Sequence, residues 1–164
     1  MLKILIEEAN CSGDILLAVA SLYGICDEEN QNLLKIEEKF GAYVAEAAAA
    51  MIREKEEDFE EYVKRIFSAE KHYSLPLILV AAKLQELRMI RCPFESWEED
   101  IPSYNAMERV FARYINDAKD IPGLEVLWQK LQEQLEYNRN VSYRVNKTTD
   151  ELYTDWDDDH SEPF

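Results

Sequence analysis

The chain has 164 residues, 34 of them acidic and 18 basic, for a formal net charge of −16. That length, with 47% hydrophobic residues, suits one domain around one core. Such acidity presents no positive field to nucleic-acid phosphates or anionic headgroups, and no apolar run reaches the roughly 20 residues that span a bilayer, so neither nucleic acid nor a membrane is expected as a ligand. Only four glycines and five prolines interrupt a background rich in Ala, Leu, Glu and Lys, which is a helical composition.

Residues 1–9 predict a short helix that stops at Asn10-Cys11-Ser12-Gly13. Five of the first six residues are apolar, Lys3 excepted, but the run is too short for a signal peptide and Glu7-Glu8 follow where a small-residue cleavage site would be needed, so a cytoplasmic protein is expected. From residue 15 to 26 only Ser21, the Tyr23 hydroxyl and Gly24 depart from apolar character, which predicts a helix without a solvent face at the centre of the core. Asp27-Glu28-Glu29-Asn30 break that run, and Leu33, Leu34 and Ile36 begin a short helix ending near Phe40-Gly41. Tyr43, Val44, Ala47, Ala48, Met51 and Ile52 recur at helical spacing, as do Phe59, Tyr62, Val63, Ile66 and Phe67. They predict two amphipathic helices, with the acidic stretch 54–61 as a solvated turn between them.

Ser74 and Pro76 open a second strongly apolar helix through Leu77, Ile78, Leu79, Val80, Ala81, Leu84 and Leu87, closed by Pro93. Two amphipathic helices follow, one on Met107, Val110, Phe111, Tyr114, Ile115 and Ala118, the other on Leu124, Leu127, Trp128, Leu131 and Leu135. Pro122-Gly123 separates them. Beyond Asn138 the periodicity fades and acids alternate with aromatics, so residues 1–138 are assigned to the helical domain and 139–164 to a flexible tail or docking peptide.

Cys11, Cys26 and Cys92 show neither a disulfide framework nor a zinc spacing and read as buried thiols in a reducing compartment. Of the two histidines, His72 stands beside a helix start and His160 among Asp157, Asp158 and Asp159, a cluster too loose for a defined metal site. No nucleophile motif or Gly-rich phosphate loop is present.

Two stretches carry a family likeness. The run Ile36-Glu37-Glu38-Lys39-Phe40-Gly41-Ala42-Tyr43-Val44-Ala45 resembles the I-E-x-x-F-G-x-x-V-A signature of the HD-domain ppGpp hydrolases, the stringent-response alarmone enzymes. Leu79-Val80-Ala81-Ala82-Lys83-Leu84-Gln85-Glu86-Leu87-Arg88 is similar to that family's K-L-A-D-R-L-H-N-L-R helix, and the likeness covers residues 1–91. The resemblance implies an all-α, HD-domain-like helical bundle in a single domain.

It also implies a divalent metal, usually manganese, held by an upstream His, a His-Asp doublet and a later Asp, because such ligands hold and acidify an attacking water. Here Tyr23-Gly24 stand for the doublet, Ala82 stands for the later Asp, and no His precedes residue 72. Asp27-Glu28 match the family's acidic pair in charge with the order reversed; their plain structural reading is a solvated loop. Lys83 and Arg88 keep the positive charge of the nucleotide-contacting helix, whereas Gln85 and Glu86 replace its His and Asn, and a helix cation is commonly exposed or paired.

No metal, no cofactor and no catalysis are therefore expected. The Tyr23 ring is expected to be buried in the volume of the lost metal site, with Gly24 admitting a neighbouring helix. The expected function is that of a protein-binding regulator or inhibitor, of antitoxin or immunity type, whose acidic surface takes a basic protein partner with Tyr153, Trp156 and Phe164 as aromatic anchors. Two rivals stand beside it. A ppGpp or nucleotide pyrophosphohydrolase with displaced ligands would release pyrophosphate with manganese, and an acidic nucleic-acid mimic would space its carboxylates like phosphates.

Overall fold

Apolar residues at a 3.6-residue period become helices throughout the computed structural model, which describes residues 1–24, 31–89, 97–118 and 120–158, with side chains for 1–24, 33–89, 102–118 and 120–141. Among the described residues there is no strand, and the fold is all-α. The α-helices are α1 (Asp14–Leu22), α2 (Gln31–Phe40), α3 (Ala42–Ala50), α4 (Phe59–Phe67), α5 (Leu75–Met89), α6 (Trp97–Ile115) and α7 (Leu124–Asp158). A π-helical turn, Ile4–Glu8, precedes them, and 3-10 turns occupy Glu70–His72 and Asn116–Ala118.

The core is built around α5. Its side chains from Leu75 through Ala82, and then Leu84 and Leu87, are buried, because a helix apolar on nearly every side must be covered on every side. Its most extensive partner is α7, whose Leu127, Leu131 and Leu135 are fully enclosed. The N-terminal turn adds Leu5 and Ile4 to the same core. Each enclosed leucine contributes on the order of 2–3 kcal/mol relative to exposure.

Helix α1 does not occupy the centre that its apolar sequence predicted. It is nine residues long, only Val19 and Ala20 are buried, and Ile15 is 53% exposed. One face packs on α3 and α5, while Ile15 and Leu16 line a cavity. Residues 25 and 26, the end of the apolar run, lie outside the described residues, as do Cys92 and Pro93.

Gly41, at φ +87°, closes α2 and lets α3 start at once, so the two form a tight helical hairpin. The acidic stretch after α3 is more than a solvated turn. Asp58 caps α4 by accepting from the Glu61 N–H at 2.8 Å, and the Glu61 carboxylate in turn accepts from the Asp58 N–H at 3.2 Å. Arg65 donates to the Ala50 and Ile52 carbonyls at the end of α3 and forks onto Glu57 at 2.7 and 2.8 Å. It thereby satisfies helix-end carbonyls that have no partner within the helix.

Phe59, Phe67, Phe111 and Trp128 interlock α4, α6 and α7, with Phe59 set edge-on to Phe111 at 5.8 Å. Helix α6 starts at Trp97, ahead of its apolar stripe, and contains Pro102. Gly123, also at a positive φ, lies against the Ala9 carbonyl and opens α7. The helix then continues past Asn138 to Asp158, so the described part of the segment read as a tail is helical and continuous with the body. Among the described residues no helix is long and apolar enough to cross a membrane.

Candidate functional site

The positions singled out by sequence divide into three places. Tyr23 and Gly24 end α1. Tyr23 is half-buried rather than enclosed, and its hydroxyl interacts with that of Tyr62, which donates to the Met51 carbonyl at 2.8 Å. Burial, with the nearby Glu86 carboxylate adding to it, pushes the Tyr23 hydroxyl above its ordinary pKa, so it stays protonated. Gly24 departs from expectation: nothing lies within 4 Å of a Cβ built there, and its φ of +82° is what calls for glycine. Asp27 and Glu28 lie outside the described residues.

On α5, Ala82 is buried. Lys83 pairs with Glu86 at 2.6 Å and lies 5.9 Å from the Phe59 ring centre. Arg88 points elsewhere, forking onto Glu8 at 2.6 and 3.1 Å, with Lys130 joining the same carboxylate at 3.0 Å. Arg88 above all holds the Glu8 carboxyl down at about 2. Both cations that the resemblance assigns to a nucleotide are thus engaged by carboxylates of the chain. Tyr153 and Trp156 stand three apart on the α7 backbone, while Phe164 and His160 lie outside the described residues. Among the described residues no three His, Cys, Asp or Glu side chains converge to hold a metal.

A second site has no counterpart in the motif reading. A cavity of about 350 Å³ opens between the 10–13 loop, α1, α3, the start of α5 and Ile121-Pro122. Its mouth includes Asn10, held at φ +54°, a conformation Asn tolerates better than most residues. Its walls include Ile15, Leu16, Val19, Ala47 and Ile78, with His72 and Tyr43 beside them.

The 3-10 turn ending at His72 is tied to α3 twice. The Tyr43 hydroxyl donates to the Lys71 carbonyl at 2.8 Å, and the Lys71 ammonium pairs with Glu46. The Tyr43 ring meets the His72 ring edge-on at 4.7 Å. His72 is 8% exposed; its Nε2 lies 3.9 Å from a Glu46 carboxylate oxygen, and its Nδ1 is buried with no hydrogen-bond partner among the described residues. Burial foremost, then the Lys71 charge, pushes the His72 pKa below its ordinary value against the opposing pull of Glu46, so the imidazole is neutral at pH 7.

Cys11 lines the same cavity, but burial raises its thiol pKa and the thiol points to the Ala9 carbonyl at 3.7 Å, so it is a poor nucleophile. Sequence reasoning missed this grouping because Tyr43 and Glu46 meet His72 across more than 25 residues of chain. No family model, characterised protein or solved structure matches the chain.

Proposed function

We propose that this chain is a non-catalytic cytoplasmic protein, built on an HD-hydrolase-like helical scaffold, that regulates or inhibits a basic protein partner by binding it. The observation that carries the reading is the continuation of α7 to Asp158, which presents five acids and no Lys or Arg between positions 149 and 158 on one helix. Helix α5 ends at Met89, close to where Asn138 of α7 donates to the Leu87 carbonyl at 3.1 Å. Among the described residues, the acidic part of α7 therefore runs on beyond the end of its main packing partner. An acidic helix of this kind steers a positively charged surface toward it, and Tyr153 and Trp156 supply aromatic area that charge alone does not.

The rest of the reading is chemical. Residues able to bind and acidify a water do not stand at positions 23, 24 and 82, where the resemblance requires them, and Lys83 and Arg88 have carboxylate partners already. Capture on the immobilised chain from a lysate of its native host, with the eluted proteins identified by mass spectrometry, tests the proposal. The expected partner is basic, and its measured association rate falls steeply as salt rises. A partner whose association ignores salt contradicts the mechanism.

A further inference from the structure

Helix α7 carries a seam whose register outlasts its partner. Leu124, Leu127, Leu131 and Asn138 are buried at heptad spacing, and Asn138 donates to the Leu87 carbonyl near the end of α5. Val141, Val145, Thr148 and Leu152 continue the same alternation of three and four residues along the helix, past the last described turn of α5. On a straight helix a heptad stripe drifts by about 20° per repeat. Here the drift carries the stripe away from the side of Trp128 and Arg139, through which α7 meets α6.

Charge along this stretch is sorted by sign. Between 140 and 149 the only charged residues are Arg144 and Lys147, whereas 150–158 hold five acids and no Lys or Arg. We propose that this stretch of α7 pairs antiparallel with the same stretch of a second copy of the chain. A pair centred between Asn146 and Lys147 sets the position of Val141 level with Leu152 of the second copy, and Val145 level with its Thr148, as an antiparallel heptad core requires. In that register Arg144 and Glu151, each one residue ahead of a core position, come level across the pair, and the twofold axis makes the match twice.

A parallel pair does the opposite. It sets the two acidic ends side by side and leaves Arg144 level with Thr149, so charge selects the antiparallel direction. The antiparallel pair also holds the two acidic bodies at its opposite ends, where they repel each other least. Residues 141–152 make about 18 Å of helix, short of what buries a standard interface of about 800 Å² per partner, so the dimer is weak and exchanges readily. The inference does not rest on the partner-binding reading, since it is tested on the pure chain. A basic partner would reach Glu151 in exchange for the second copy.

Sedimentation equilibrium over a concentration series, in about 0.15 M salt, tests the pairing. A reversible monomer–dimer equilibrium is expected, half-associated below about 1 mM. Leu152→Gln keeps a helix-forming residue and removes a core position, and is expected to weaken the dimer at least tenfold. Arg144→Glu and Glu151→Arg each set like charges level and are expected to weaken it about tenfold, although they move the net charge in opposite senses. The double variant Arg144→Glu, Glu151→Arg keeps the net charge and is expected to restore the dimer. Two positions separated by two turns of one helix show such a rescue only across an antiparallel pair. A chain that stays monomeric to about 1 mM, which would leave the seam to another occupant, overturns the proposal. So does a dimer indifferent to Leu152→Gln, single reversals without effect, or a double variant no stronger than the singles.

Discussion

Gly41 and Gly123 share a φ of +87° and differ in what surrounds them. A Cβ at Gly41 meets nothing within 4 Å, whereas at Gly123 it would come within 2.6 Å of the Ala9 carbonyl oxygen. Gly41→Ala is therefore expected to cost only the left-handed backbone, about 1–2 kcal/mol. Gly123→Ala adds a clash that the N-terminal turn must yield to, and urea denaturation should place its loss clearly above that of Gly41→Ala. Glu8 is a second residue with a calculable role. Its carboxyl titrates at about 2 when folded, against 4.5 for the free side chain, so its pairing with Arg88 and Lys130 stabilises the fold fully above pH 4.5 and fades as pH falls through 2. After screening by solvent at these partly exposed partners, the contribution is on the order of 1–3 kcal/mol. Glu8→Gln is expected to lower stability by that amount at pH 7, and the gap between the two proteins should close toward pH 2.

Among the elements, the hinge between α3 and α4 is held by two side chains of α4, the Tyr62 hydroxyl on the Met51 carbonyl and the Arg65 guanidinium. Arg65 joins the last carbonyls of α3 to Glu57, so Arg65→Ala leaves those groups without their donor and should cost about 2 kcal/mol by thermal or urea unfolding. This hinge also shows where sequence is readable. The D-x-x-E pattern at Asp58 and Glu61 is a capping signal in plain view, but within a crowd of acids it passes for a solvated turn. Helix α5 was legible because a long apolar run flanked by Ser74 and Pro76 can only be a covered helix. Helix α1 shows the limit of the same rule: apolar residues all round report contact on all sides, and a cavity wall looks like a core wall. The length of α7 was hidden for another reason. Its apolar stripe thins after Asn138, yet a helix already nucleated and packed can extend through polar residues at little cost per residue. His72 carries no local signal at all, since its partners Tyr43 and Glu46 come from α3.

For the whole molecule, a net charge of −16 acts on association more than on folding. The acidic end of α7 concentrates part of that charge, so a chain truncated after Arg144 should bind a captured basic partner about tenfold more weakly, the 1.4 kcal/mol of one modest aromatic anchor. Equal affinity for the two forms would remove α7 from the interface. The proposal that the chain is a non-catalytic HD-hydrolase-like protein rests on Tyr23, Gly24 and Ala82 standing where the resembled sequence motifs carry His, Asp and Asp. The most direct measurement is pyrophosphate release from ppGpp by the pure chain with millimolar manganese. The expected result is a rate indistinguishable from that of buffer, with no stoichiometric manganese binding by calorimetry; manganese-dependent release, or a micromolar site mapping to residues 23–28 and 82, would contradict it.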